Sequence, residues 1–190
     1  DFCRRNGIVF VMDEMIYGGR WALGGATEYW SFEDPASIRP DLACVGKAIG
    51  NGAPIACVVG GAALMDAHAE MVSGTYSGDA AALAAVVEVL RFYNEHDVIG
   101  TLWARGRQLW NGLAEAVRAY PDAGAILEGA APVHQRLRFL DPARGKLFSA
   151  EMAKSGILWH PDVVNCCYSL TVEQVGRVVS AAADSLKAIS

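Results

Sequence analysis

No apolar run in this sequence reaches the roughly 18 residues that a membrane-spanning helix requires. Its four histidines, His68, His96, His134 and His160, are scattered and show no metal-ligand spacing, so no metal site is expected. The five cysteines (Cys3, Cys44, Cys57, Cys166 and Cys167) show no paired spacing, and adjacent Cys166 and Cys167 make an awkward disulfide. Reduced thiols in a cytoplasmic protein are the expectation. Charge is sparse, at 19% of residues with a formal net charge of −5, which gives no reason to expect nucleic acid or an anionic membrane surface as partner. There is no internal repeat and no low-complexity tract. An initiator methionine is also missing: Asp1-Phe2-Cys3-Arg4-Arg5-Asn6-Gly7 reads as the last turns of a helix closed by glycine, so the chain is expected to be a fragment.

What is present is a hydrophobic fraction of 53% over 190 residues, enough for a substantial core in one large or two small domains. The organising stretch runs from Pro40 to Gly52. A short apolar run, Leu42 to Val45, reads as a buried strand that delivers Lys47 into a pocket of glycines. Lysine is rarely buried without a partner, and no carboxylate stands near it in sequence. An amine held among apolar and glycine neighbours favours its neutral, nucleophilic form. Two phosphate-binding readings fail on spacing. A P-loop requires a glycine where Asp41 stands and Ser or Thr where Ala48 stands, and the third glycine of a dinucleotide fingerprint is replaced by Ile55.

Upstream, residues 8–13 form a continuous apolar run ended by Asp13, suited to a central parallel strand covered on both faces. Asp13 then lies at the strand's carboxyl end, where open α/β sheets bind ligands. Residues 14–39 are rich in glycine and aromatics, with turn-prone Asp34-Pro35, and read as a long functional loop carrying one short helix. A third strand is expected over 55–59 and a short helix over 61–68. Gly74-Thr75-Tyr76-Ser77-Gly78 is a glycine-bracketed hydroxyl loop, after which Asp79 caps a helix over 80–95 whose alanine-rich surface is broad enough for burial on more than one side. From Asp97 an apolar stripe through Ile99, Leu102, Trp103, Gly106, Trp110, Leu113, Val117 and Tyr120 predicts a second helix. Short strands over 125–127 and 133–140, a helix over 146–155 and a strand over 156–159 follow. A final helix opens on the capping box Thr171 to Gln174, with Val172, Val175, Val179, Ala182, Leu186 and Ile189 as its buried stripe.

Asp13 at one strand end, Lys47 at another and the Gly74-Thr75 loop are each weak signals. Jointly they match the needs of pyridoxal 5′-phosphate (PLP): an amine for a Schiff base, a carboxylate to keep the pyridine nitrogen protonated, and hydroxyl and N–H donors for the phosphate. Val11-Met12-Asp13-Glu14-Met15, Pro40-Asp41-Leu42 with Gly46-Lys47, the turn Gly50-Asn51-Gly52-Ala53-Pro54 and Gly74-Thr75-Tyr76-Ser77-Gly78 fall in one order along the chain. In that order they resemble the class III aminotransferases of PLP fold type I. Arg20-Trp21-Ala22-Leu23-Gly24-Gly25-Ala26 looks most like the glutamate-1-semialdehyde aminomutase branch.

The resemblance implies an α/β fold: the C-terminal half of a fold-type-I transferase, with a mainly parallel sheet flanked by helices over 1–98, then a connecting helix and small α+β domain over 99–190. It implies that Lys47 is the Schiff-base lysine and proton shuttle, and Asp13 the partner of the ring nitrogen. Met15 takes the place of a valine packed on the ring. Gly74 and Thr75 would bind phosphate, Thr75 usually that of a neighbouring subunit in a homodimer with shared active sites. Ile16 replaces a common glutamine, Tyr17 a threonine, and Asp79-Ala80 an Asn-Pro pair. Asp79 must then face away from the phosphate as a helix cap. The substrate would be a small-molecule amino donor and acceptor. The alternatives are an intramolecular aminomutase or a non-catalytic fragment serving as a dimerisation module. Arg20 is read as structural and His160 as a turn residue. The resemblance also places the ring-stacking aromatic and part of the phosphate cup before residue 1, so these 190 residues alone are expected to take up PLP weakly.

Overall fold

Gly7 adopts the left-handed conformation that ends a helix, at φ +63°, and closes α1 (Phe2–Arg5) before the chain extends into β1 (Val11–Asp13). The structure, a computed structural model, describes residues 2–33, 38–67, 74–160 and 163–190. It divides into two compact units, Asp1–Ile99 and Gly100–Ser190. No helix among the described residues is long and apolar enough to cross a membrane.

In the first unit, β1 pairs in parallel with β2 (Leu42–Gly46), with Val11 opposite Leu42 and Asp13 opposite Cys44. β2 pairs antiparallel with β3 (Ala56–Gly60). The sheet order is β1-β2-β3, so parallel pairing holds at β1–β2 and gives way at β2–β3. The expectation of a central strand covered on both faces does not hold for residues 8–13. Only Val11–Asp13 pair, and Ile8, Val9 and Val11 stand 47–49% exposed, because β1 has a single neighbour in the sheet. The loop after Asp13 carries α2 (Gly25–Glu33), the one short helix expected there. Trp21 is buried at its foot, with Tyr17, Tyr29 and Trp30 ringed around it at centroid distances of 5.2–5.6 Å. The expected Asp34–Pro35 turn and the end of a helix at His68 lie outside the described residues; α3 is Ala62–Ala67.

α4 (Ala80–Glu95) starts where its cap predicts: Asp79 Oδ1 accepts the Ala82 N–H at 2.7 Å. The burial expected of its broad surface is not met. Ala82 is its one buried residue, and Leu83, Val87 and Leu90 form an uncovered apolar row, Val87 being 63% exposed.

The second unit has its own core. α5 (Val98–Ala119) presents Leu102, Leu109, Leu113 and Ala116, all buried, along one stripe. β4 (Ala125–Ala131), β5 (His134–Phe139) and β6 (Val164–Asn165) form an antiparallel sheet in that order. α6 (Pro142–Lys154) adds fully buried Phe148 and Met152, and α7 (Val172–Ile189) adds Val175, Ala182 and Leu186. Gly112 lets α5 and α7 approach closely, since a Cβ there would stand 2.5 Å from Val179 Cγ1. Both bonds of the Thr171–Gln174 capping box are present.

Two expectations fail in this unit. Residues 156–159 are not a strand: Gly156 turns left-handed at φ +74°, and Ile157 N–H returns to Met152 O at 3.0 Å, so the segment closes α6. Leu158 is 96% exposed, and the third strand of the sheet forms later, at Val164–Asn165. Val172 also lies outside the buried stripe of α7, 55% exposed at the helix's first position.

Candidate active site

Because β1 and β2 run parallel, their carboxyl ends lie at the same edge of the sheet, and that edge carries Asp13 and Lys47. Lys47 directly follows β2 and takes a left-handed backbone, φ +47°, unusual for a residue with a side chain. Its carbonyl accepts from Gly50 N–H and Asn51 N–H, both at 3.1 Å, which winds residues 47–49 into a single turn. The expectation of a buried lysine is corrected: the Lys47 side chain is exposed, with no carboxylate partner among the described residues. The flanking glycines Gly46 and Gly50 are buried, and the lysine between them is not.

Met15 joins the two strand ends. Its N–H donates to Asp13 Oδ1 at 2.9 Å, and its thioether lies over Gly46, where a Cβ would stand 2.6 Å from Met15 Cε. A side chain at 46 would therefore displace the end of the methionine, which rests where glycine leaves room. Asp13 is exposed, and Oδ2 has no hydrogen bond among the described residues. The structure thus brings Asp13, Met15 and Lys47 together.

Gly74 and Thr75 belong to an exposed turn that closes on itself through Ser77 N–H to Gly74 O at 3.0 Å. No hydrogen bond ties that turn to Asp13 or Lys47 among the described residues. Asp79, which follows it, turns its carboxylate onto the Ala82 N–H at the start of α4, the helix-cap role expected of it. His160 borders a cavity of about 260 Å³ within the second unit, with Trp159, Leu109, Asn165 and Val175.

Two residues escaped the sequence reading. Glu14 is 1% exposed, and its carboxylate accepts from Ala26 N–H at 2.9 Å, Thr27 N–H at 2.8 Å and Thr27 Oγ1 at 2.5 Å. An acid beside the motif's aspartate, with Gly-Ala-Thr at a helix start downstream, was the available signal. Tyr93, on α4, donates its hydroxyl to Gly19 O at 2.7 Å. Gly19 itself sits at φ +69°, and a Cβ there would meet both the Tyr93 hydroxyl and Ala48 Cβ, next to the lysine. Nothing local in an alanine-rich helix marks that tyrosine.

Burial raises the Tyr93 phenol above its ordinary value, and the Arg20 guanidinium opposes part of that shift. Below about pH 10 folded and unfolded states both keep the proton. Above it the unfolded state releases its proton first, so stability falls as pH rises towards the folded-state value. The unfolding midpoint should therefore drop on the alkaline side, and Tyr93→Phe should flatten that drop relative to wild type. Parallel alkaline curves for the two proteins would show that the phenol contributes nothing.

The family model described as Aminotransferase class-III matches residues 1–173. A glutamate-1-semialdehyde 2,1-aminomutase from Opitutus terrae is 35% identical over 122 residues, covering 62% of this chain and 27% of that protein. Among solved structures, the FumI protein of Sphingopyxis sp. MTA144, in its PLP internal aldimine form, superposes with a TM-score of 0.84 at 27% identity, over 99% of this chain and 45% of that one. An amine transaminase from an uncultivated Pseudomonas species, also PLP-bound, gives 0.84 at 25% identity over 100% and 46%. The chain thus spans roughly a quarter of the length of that curated relative and under half of the solved structures.

Proposed function

The chain belongs to the class III aminotransferase family and has the fold of the PLP fold-type-I transaminases, and we propose from that membership that it forms part of a PLP-dependent enzyme moving an amino group between small molecules. The observation that carries the reading is the pairing of Asp13 and Lys47 at the carboxyl ends of adjacent parallel strands, bridged by Met15. The residues present fit the group. An exposed amine stands on a hydrogen-bonded turn, a carboxylate has one oxygen committed to Met15 and the other open, and the space over Gly46 is filled by a thioether.

When bound, PLP supplies an electron sink for the charge left on a substrate carbon that loses a proton. Lys47 would carry the cofactor through Nζ, and the same amine would take the substrate Cα proton and hold it for return. Asp13 would keep the ring nitrogen protonated through a charge-assisted hydrogen bond. Met15 would bear on the ring, and Gly74 and Thr75 would donate to phosphate, Thr75 to that of the partner subunit in a homodimer. We read residues 1–98 as part of the cofactor-binding domain and 99–190 as the connecting helix and small domain, in a cytoplasmic enzyme. Borohydride treatment of the PLP-loaded full-length protein should fix a phosphopyridoxyl group on Lys47, located by peptide mass mapping. A label on any other lysine overturns the assignment.

The second reading is an intramolecular aminomutase, favoured by the 35% identity to the Opitutus terrae protein of that name. Supplying an external amino donor separates the two: keto-acid product signals transfer, and its absence with a rearranged product signals the aminomutase.

A further inference from the structure

Glu14 is the most deeply buried acid of the chain's described residues, and the reaction outlined above gives it no part. Successive side chains at a strand end point to opposite sides of the sheet. Asp13 and Glu14 divide accordingly: Asp13 is exposed at the sheet edge and Glu14 is turned fully inward. Glu14 is fixed at three places. Its N–H donates to Cys44 O at 2.9 Å, extending the β1–β2 ladder past Asp13, and its carbonyl accepts from Gly18 N–H at 2.8 Å. Its carboxylate takes the Ala26 N–H, the Thr27 N–H and the Thr27 hydroxyl at the start of α2. Gly25, at φ +82°, is shaped to this clasp, since a Cβ there would run into Glu14 Oε2.

We propose that Glu14 is a positioning residue for Asp13: by anchoring its own side chain to the N-terminus of α2, it fixes the rotation of the Asp13–Met15 turn and so the direction in which the Asp13 carboxylate faces. Because the pleat has a period of two, a turn of this backbone that released Glu14 would also swing Asp13 away from the sheet edge. The carboxylate suits the role better than an amide. All three of its partners are donors, and a glutamine would set its own N–H₂ against one of them. Thr27 is the second element of the device, as it supplies two of the three bonds.

This inference rests on the assignment of Asp13 to the ring nitrogen, and the test separates the two. The full-length protein is loaded with PLP carrying ¹⁵N at the ring position, and NMR reads whether that nitrogen holds a proton in mildly alkaline buffer. Wild type is expected to show the protonated signal and Asp13→Asn the neutral one. Glu14→Gln is expected to move the signal towards the neutral position while far-UV circular dichroism stays native. PLP should leave it roughly 10- to 100-fold more readily, the range for loss of an outer partner that orients a ligating group. Thr27→Val, which keeps the carboxylate and removes one donor, should shift the signal the same way by less, and it serves if Glu14→Gln does not fold. A protonated signal in Asp13→Asn would sink the assignment of Asp13. A neutral signal in Asp13→Asn with a wild-type signal in folded Glu14→Gln or Thr27→Val, even with a lowered unfolding midpoint, would leave Asp13 in place and overturn the role given to Glu14.

Discussion

Full-length protein carrying Lys47→Ala is expected to bind PLP without a covalent link and to lose turnover completely. Two functions fall on one amine in the proposed reaction: attachment of the cofactor and movement of the Cα proton. Proton transfer by a positioned side chain alone contributes about 10²–10⁴-fold. Alanine offers no group to substitute, and no second lysine stands in the turn, where Gly46, Ala48, Ile49 and Gly50 surround position 47. The fold should tolerate the change, because the lysine side chain is exposed and makes no ion pair among the described residues. Removing it at φ +47° still leaves a Cβ in the same left-handed backbone. A single-turnover assay with PLP and an amino donor, read by the cofactor's absorbance, decides the matter. Residual conversion within about tenfold of wild type would mean that another base moves the proton.

Asp13→Asn is expected to slow proton abstraction by roughly 10²–10³-fold, the usual loss when one electrostatic partner of a developing charge is removed. The substitution preserves size, and Asn can still accept the Met15 N–H through its side-chain oxygen, so the Met15–Gly46 contact should persist. What disappears is the negative charge that, in the proposed site, would hold a proton on the ring nitrogen. Exchange of the substrate Cα hydrogen in deuterated water, followed by NMR, isolates that step from later ones. Exchange at the wild-type rate in a folded variant would assign the ring nitrogen to a different acid.

The features legible in the sequence are those set by a few neighbouring residues. The cap at Asp79, the Thr171–Gln174 box and the glycine end of α1 all appear as read, because each is a local hydrogen-bond or dihedral requirement. The placement of Asp13 and Lys47 at one sheet edge was legible too, since an apolar run states where a strand ends. Burial was less so. Val11 on β1 and Val87 on α4 have the composition of interior residues, yet composition says nothing of which chain covers them. Residues 156–159 have the composition of a strand, but Gly156 spends its conformational freedom on ending a helix instead. Glu14 was overlooked because its three bonds come from Ala26 and Thr27 on α2, and the Gly-Ala-Thr helix start that signals them lies across the glycine-rich loop, too far downstream for a spacing rule to join to an acid.

The left-handed turn at the lysine has a bearing on how this sequence is free to vary over generations. Lys47 and Asn51 both hold positive φ, at +47° and +45°, and Gly52 follows at +100°. Asparagine adopts this conformation more readily than most residues, so exchange of Asn51 for glycine should be nearly silent, whereas a β-branched residue there would cost about 1–2 kcal/mol. Gly50 is closed to replacement by Ala53 O, 2.6 Å from where a Cβ would stand, whereas a side chain at Gly46 would meet the movable end of Met15. Under the proposed reaction Lys47 would be held by its chemistry and Gly50 by geometry, whereas Asn51 is open to glycine. In a pooled library covering residues 46–52, selection for function should therefore enrich glycine and asparagine at 51 and leave almost nothing but the parental residues at 47 and 50.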